Sequence, residues 1–295
     1  MRLVTFADLD PDLRAGPQGP RVGVLLGDAV LDVVAAVPRA PRDLPALLAA
    51  DDDVRAAVRA AVADRDPAAV RPRAAVRLGA PVPRPGKVLC VGYNYRGHTA
   101  QEDPAFPDVF TKPATAVVGP EDAVVLPPAS AEVDYEAELA VVIGRRAHRV
   151  DERDALAHVG GYTVLDDVSA RDWQRRGSQW SLGKAFDTFA PLGPAVVTPD
   201  EVPDLRDLAV EARVNGELTL AGSTRDMVFG IPFLVAYLSQ VVTLEPGDVI
   251  ATGTPQKLPH VLDRGPRWLR PGDVVEITVG RVGTLRSRIT AASAH

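Results

Sequence analysis

The sequence predicts a strand-rich α+β protein: a small leading α/β unit followed by a larger body. Three observations predict it. Short strand-like runs bounded by glycine, proline, asparagine or aspartate fill most of the 295 residues. Only two stretches carry a clear helical pattern, one in each unit. Between the units, Pro81-Val82-Pro83-Arg84-Pro85-Gly86 reads as a stiff linker. The expected units are therefore residues 1–82 and 83–295.

In the leading unit, Arg2 to Ala7, Arg21 to Leu26 and Ala29 to Val33 read as a meander, with a tight turn at Gly27-Asp28. Leu44 to Val62 reads as one helix, stopped by Pro67 and Pro72. No chemistry is apparent here. In the body, Lys87 to Gly92 is a short buried strand containing Cys90. This lone cysteine excludes an internal disulfide, fits a reducing cytoplasm and reads as a packed core thiol. A loop follows, carrying His98, Gln101 and Glu102. Its position after a buried strand leaves a surface histidine and a catalytic one equally open.

The stretch Val133 to Ile143 reads as one strand. Tyr135, Ala137, Leu139, Val141 and Ile143 share an apolar face, whereas Asp134, Glu136 and Glu138 share the other. Three carboxylates on one face resist burial unless a cation joins them. From this stretch alone, an edge strand with a wet face is the simpler reading. Asp134 has no assigned role and is expected at the exposed strand end. Gly160 to Leu165 is a further strand, ending in Asp166-Asp167. A helix cap suits Asp166 or Ser169 and leaves Asp167 for other work. Lys184 sits among Leu182, Gly183, Ala185 and Phe186, so either its amine is buried against an anion or it snorkels to water.

Farther on, Val210 to Val214 and Glu217 to Leu220 flank an Asn215-Gly216 hairpin turn. Ile231 to Leu238 reads as a buried helix with proline in its first turn. Strands Val249 to Ala251, Val274 to Val279 and Leu285 to Ile289 complete the body. Arg264, Arg267 and Arg270 read as a solvated basic loop, with contact to an acidic ligand as the alternative.

Composition and motifs exclude several function classes. A net charge of -6 argues against a general nucleic-acid or membrane-surface binder. The first residues lack an apolar signal core, and no run approaches a membrane span, so the expected compartment is the cytoplasm. Gly177 to Gly183 has the wrong spacing for a phosphate loop, and Ala185 replaces the required hydroxyl. No dinucleotide glycine fingerprint and no zinc-type Cys/His cluster occur. The remaining constellation is Glu136, Glu138 and Asp167 with Lys184, plus His98 with Glu102 nearby. All-oxygen ligands suit Mg²⁺, Mn²⁺ or Ca²⁺. An open cation of this kind polarises carbonyls and stabilises enolates.

Several ordered motifs carry a resemblance: Lys87 to His98, Phe110-Thr-Lys-Pro113, Val133-Asp-Tyr-Glu-Ala-Glu-Leu139, Gly161 to Asp172, Gly183-Lys-Ala-Phe-Asp-Thr-Phe189, Thr252-Gly-Thr-Pro255 and Gly283-Thr-Leu285. In this order they resemble the fumarylacetoacetate hydrolase family, in its acylpyruvate hydrolase-like branch. The resemblance implies a mixed β-roll or barrel-like catalytic domain, paired as a homodimer. It implies a divalent cation on Glu136, Glu138 and Asp167, and a role for Lys184 beside the developing enolate. Arg171, Gln174 and Thr254 match substrate-facing positions, and His98 matches a water-activating histidine on a mobile lid. The implied substrate is a small keto or diketo acid. The implied reaction is hydrolytic C–C cleavage of an acylpyruvate or related β-diketo acid through an enolate held at the cation.

Three departures bear on that expectation. The family pattern places a glutamate three residues after the histidine, where this chain has Gln101, with Glu102 one residue on. Gln256-Lys257-Leu258-Pro259 replaces the usual Gly-Val after Thr-Pro and reshapes the rim. Asp166 stands where asparagine is common. The displaced glutamate motivates an alternative: tautomerisation, isomerisation or oxaloacetate-type decarboxylation at the same cation, with no activated water. A non-catalytic homologue is the remaining reading.

Overall fold

The computed structural model describes residues 1–9, 19–97 and 103–292. Its largest sheet runs, in spatial order, Val70–Pro72, Ala29–Asp32, Arg21–Leu25, Arg2–Asp8, Ala190–Val197, Val159–Asp166, Ala137–Ile143, Val249–Ala251, Val88–Gly92 and Asp108–Lys112. Strand Arg2–Asp8 pairs with Ala190–Val197, so the leading segment and the body share one continuous sheet. A second sheet of five strands runs Glu217–Ser223, Ala209–Val214, Val274–Val279, Gly283–Ala291 and Ala123–Leu126. The protein is a strand-rich α+β fold, as its sequence predicts.

Strand Ala137–Ile143 is the hinge of the architecture. Its alternation sends successive side chains into two different cores. Ala137, Leu139, Val141 and Ile143 join the first core, against Val210, Val275, Ile277 and Leu285 of the second sheet. Ala140 and Val142 join the second core, against Leu3, Val22, Leu44 and Leu47 of the leading segment. The expected apolar face is therefore correct, and its opposite face is apolar too beyond Glu138. Strands Val159–Asp166 and Val249–Ala251 pair on either side. The edge-strand reading fails because both ladders of the strand are occupied. The long strand also breaks at Tyr135-Glu136, where Val133–Asp134 leaves to pair with Ser169–Ala170.

Two other local expectations change. The single helix from Leu44 is two helices, Leu44–Ala49 and Asp52–Asp64, separated by extended Ala50 and Asp51. Asp43 caps the first by accepting from Ala46 N at 2.8 Å. The second ends at Arg65 in the left-handed region, before the expected proline stop. Neither Asp166 nor Ser169 caps the helix Arg171–Gln174. Asp166 Oδ1 instead accepts from the backbone of Glu136 at 3.1 Å, and Ser169 donates to the carbonyl of Asp167 at 2.9 Å. Cys90 is a fully buried core thiol. The helix Ile231–Val241 buries Ile231, Val235 and Leu238 in the first core. No helix among the described residues is long and apolar enough to cross a membrane.

Candidate active site

Where strand Ala137–Ile143 begins, its second face leaves the core and the acids start. Backbone ties fix their positions. Asp167 N donates to Glu136 O at 3.1 Å, and Thr254 Oγ1 accepts from Ala137 N at 3.1 Å. These bonds bring the carboxylates of Glu136, Glu138 and Asp167 together, with one oxygen of each within 4.8 Å of the others. Lys184, on the short helix Ser181–Lys184, donates to Glu136 Oε2 and Asp167 Oδ2, both at 2.7 Å. Its side chain is buried against anions and does not snorkel.

The charges are unevenly shared. Burial opposes ionisation of Glu136, but Arg171 and then Lys184 outweigh it and hold its carboxyl well below the usual range. Burial likewise opposes charge on Lys184, and Asp167 and Glu136 reverse that and push its ammonium upward. Glu138 is different. Burial, and then repulsion from Asp167 and Glu136, raise its carboxyl well above the ordinary value. Its carboxylate accepts from a backbone amide, Gly253 N at 2.8 Å, and no described cation forms an ion pair with it. Asp166, buried behind the cluster, is pushed up to about 8 chiefly by burial.

Arg171 brings the substrate-facing candidates into the same place. Its Nε and NH2 donate to Asp134 Oδ2 at 3.2 and 2.9 Å, and NH1 donates to Gln174 Oε1 at 3.0 Å. NH2 also pairs with Glu136 Oε1 at 2.6 Å. Asp134 is thus a buried ion partner, contrary to its expected exposure at a strand end. Thr254, Glu136 and Arg171 line both of two adjoining chambers. The inner one, about 180 Å³, is walled by Tyr93, Phe110 and Trp180 over the carboxylates. The outer one, about 470 Å³, is bounded by the segment from Gln256 to Leu269. Arg264 and Arg267 line it but already pair with Glu217 at 2.7 Å and Asp273 at 3.0 Å.

Among the described residues, the structure converges Glu136, Glu138, Asp167, Lys184, Arg171, Gln174 and Thr254. His98 and Glu102 lie outside the described residues, as does Gln101. Three contributors went unassigned from sequence. Lys112 donates to Asp167 Oδ1 at 2.6 Å and to Val168 O at 3.0 Å, with its side chain fully buried. Its signal was a lysine closing a strand inside the motif Phe110-Thr-Lys-Pro113. Asp134 and Lys257 pair with each other at the rim. Lys257 was visible only as part of an unusual rim sequence.

Comparison with known proteins places this arrangement. The family model described as "Fumarylacetoacetate (FAA) hydrolase C-terminal" matches residues 87–290. The chain belongs to the fumarylacetoacetate hydrolase family. It is 45% identical over 296 residues to "Oxaloacetate tautomerase FAHD2B, mitochondrial" of Bos taurus, covering 98% of this chain and 91% of that protein. The human protein named "Oxaloacetate tautomerase FAHD2A, mitochondrial" gives the same identity and coverage, 45% over 98% and 91%. Among solved structures, maleylpyruvate hydrolase from Sphingobium sp. SYK-6, in complex with manganese(II) and pyruvate, is 34% identical with a TM-score of 0.80, covering 99% of this chain and 100% of that one. The fumarylacetoacetate hydrolase of Exiguobacterium antarcticum is also 34% identical, with a TM-score of 0.82 and coverage of 99% and 100%. Tautomerase, hydrolase and isomerase are thus all activities named among its similar proteins.

The donor set fits a divalent cation. All its ligand atoms are carboxylate oxygens, which suit a hard ion. Glu138 in particular is a buried acid with no described cation paired to it, its hydrogen bond coming from the backbone amide of Gly253.

Proposed function

We propose that this chain is a divalent-metal-dependent enzyme that interconverts the keto and enol forms of a small 2-oxo dicarboxylic acid of the oxaloacetate type. The observation that carries the reading is the surplus carboxylate Glu138 beside the Lys184-bridged pair Glu136 and Asp167. The similarity to two proteins named oxaloacetate tautomerases, over 98% of this chain, supports this chemistry.

Glu136, Glu138 and Asp167 would hold the cation, which when bound supplies a Lewis acid for the 2-oxo group and its enolate. Lys184 keeps its charge at neutral pH and adds a fixed positive field beside the same oxygens. Arg171 holds a substrate carboxylate with the NH1 donor that Asp134, Glu136 and Gln174 leave free. Trp180, Phe110 and Tyr93 wall the inner chamber with mutually packed aromatic rings. The proton leaving the carbon next to the carbonyl needs an acceptor, and His98 is the proposed one. Glu102 is its proposed partner in place of the family glutamate.

The test is to add enol oxaloacetate with Mn²⁺ or Mg²⁺, follow the loss of enol absorbance, and identify products by NMR. Accelerated ketonisation with the four-carbon skeleton intact is the expected result. Release of pyruvate and carbon dioxide would replace tautomerase by decarboxylase. The hydrolase reading is kept as a second one because a maleylpyruvate hydrolase with manganese and pyruvate shares the fold at 34% identity. Two organic fragments from an acylpyruvate, with no effect on oxaloacetate, would establish it instead. A homodimer remains part of the proposal and is checked by light scattering of the purified protein. The cytoplasmic assignment is likewise a proposal, tested by fractionating cells that produce the chain.

A further inference from the structure

The candidate site extends outward as a chain of alternating charge. Lys112 meets Asp167, Asp167 meets Lys184, Lys184 meets Glu136, Glu136 meets Arg171, Arg171 meets Asp134, and Asp134 meets Lys257. Six of these seven groups lie on strands or helices of the fold or directly beside them. The seventh, Lys257, belongs to the segment Gln256-Lys257-Leu258-Pro259, whose first two residues line the outer chamber.

Lys257 is held firmly for a rim residue. Its backbone bridges to Leu220, and Leu258 N donates to Thr219 O at 2.9 Å. Its ammonium lies 4.4 Å from the centre of the Tyr135 ring and caps Asp134 Oδ1. That leaves Asp134 Oδ2 to receive both Nε and NH2 of Arg171. A guanidinium has five N–H donors. Among the described residues, Asp134, Glu136 and Gln174 occupy four of them. One NH1 hydrogen is left, on a residue that lines both chambers.

We propose that Lys257 is a positioning residue for Arg171. By neutralising Asp134, it fixes the plane of the guanidinium and leaves that NH1 donor to bind a substrate carboxylate. Without Lys257, Asp134 keeps only Arg171 as a described cationic partner, carries more negative charge beside the incoming carboxylate and draws the guanidinium closer to itself. The effect falls on substrate binding, because Lys257 acts through Asp134 and does not touch the carboxylates under the inner chamber. This inference rests on the proposed chemistry of 2-oxo acids.

Oxalate in the presence of Mn²⁺ is the probe, since it carries a carboxylate and binds without turnover. Its affinity is read by quenching of tryptophan fluorescence, Trp180 being in the inner wall. In the full-length protein, Lys257→Met is expected to weaken oxalate about tenfold, as expected for a charge-assisted contact losing its geometry. Lys257→Arg should restore it. Asp134→Asn should also weaken binding, and the double variant should be no weaker than the weaker single one. In turnover, KM should rise about tenfold while kcat changes less than about threefold. Unchanged oxalate affinity in Lys257→Met would overturn the proposal. So would losses that add in the double variant, because Lys257 would then act independently of Asp134. A fall in Tm shared by the Met and Arg variants, without a change in affinity, assigns Lys257 a purely structural role and also overturns it. If the parent protein fails to bind oxalate with Mn²⁺, the 2-oxo acid reading itself falls, and this inference with it.

Discussion

Arg21 in the leading segment and Lys184 in the body each hold two carboxylates in the protein interior. Arg21 donates from Nε to Asp32 at 2.6 Å and from NH2 to Asp8 at 2.8 Å, with all three side chains at most 3% exposed. Lys184 donates to Glu136 and Asp167 with the same economy, 2.7 Å to each. The two clusters nevertheless differ in what surrounds them. Arg21 lies over the Phe6 ring at 4.3 Å, and Asp32 also caps the helix Val33–Ala36. Both carboxylates there pair with the guanidinium, and the three side chains are almost fully buried. Around Lys184 there is one carboxylate more, Glu138, and an opening into two chambers. A buried ion pair alone therefore indicates only that desolvation has been balanced. A surplus acid facing an opening indicates a place for something else.

The comparison breaks most sharply on removing one group from each cluster. Arg21→Met should cost about 3–5 kcal/mol of unfolding free energy, because it removes the buried cation that pairs with Asp8 and Asp32. Urea unfolding should give the same loss with and without Mn²⁺. Glu138→Gln should cost little in metal-free protein, since it removes a buried acid that Asp167 and Glu136 repel. It should abolish the rise in Tm on adding Mn²⁺ and lower turnover by about a hundredfold or more. Equal losses of metal-free stability in the two variants would erase the distinction.

Lys184→Met is the intermediate case. Glu136 keeps Arg171 and Asp167 keeps Lys112, so the expected loss is smaller, about 2–3 kcal/mol without metal. Mn²⁺ should recover part of it by restoring a cation to the three acids, whereas nothing recovers Arg21→Met. If Mn²⁺ leaves the Lys184→Met unfolding curve in place, the carboxylates do not act as one site.

Asp166 gives an effect that depends on pH and has a definite sign. Its folded carboxyl titrates near 8 against an ordinary 3.8, so between these values the folded state carries one more proton than the unfolded one. Stability from this group is complete at low pH and falls by about 1.4 kcal/mol per pH unit as pH rises through that window. Asp166→Asn keeps an oxygen for the Glu136 amide and cannot lose a proton. The difference in unfolding free energy between variant and parent should therefore grow from pH 4 to pH 8 in favour of the variant, then level off. A flat difference would show Asp166 to be ordinary.

Much of the site was legible because its logic is local. The alternation at Glu136 and Glu138, the strand end at Asp167 and the apolar setting of Lys184 are properties of short segments. The sequence could not show that strand Ala137–Ile143 is flanked on both sides, since ladder partners come from residues 159–166 and 249–251. That one missing fact made the wet edge the simpler reading. The same holds for Asp134, whose partners Arg171 and Lys257 lie 37 and 123 residues away. The break between helices Leu44–Ala49 and Asp52–Asp64 was readable in principle, because Asp51 begins an acidic run that suits a helix start. A sustained apolar period across it concealed the break. The division at residue 83 stays a proposal about folding units, given a sheet that runs through both parts.

The smallest test applies one substitution to both clusters. At Gly23, beside Phe6, an added Cβ would sit 2.5 Å from a Val30 methyl, 2.8 Å from the Phe6 ring and 2.9 Å from the carbonyl of Leu31. At Gly92, an added Cβ would meet only the Trp180 ring within 3 Å, at 2.5 and 2.9 Å. The clashes are equal in distance but not in what must yield. Leu31 O belongs to a paired strand and cannot retreat, so Gly23→Ala should cost about 1–3 kcal/mol. Trp180 is a side chain on a chamber wall and can swing into the opening. Gly92→Ala should then cost under about 1 kcal/mol, while shifting KM a few-fold and changing the near-ultraviolet circular dichroism of the indole. If Gly92→Ala destabilises as much as Gly23→Ala and leaves KM alone, the aromatic wall is as fixed as the buried cluster, and openness no longer separates the two.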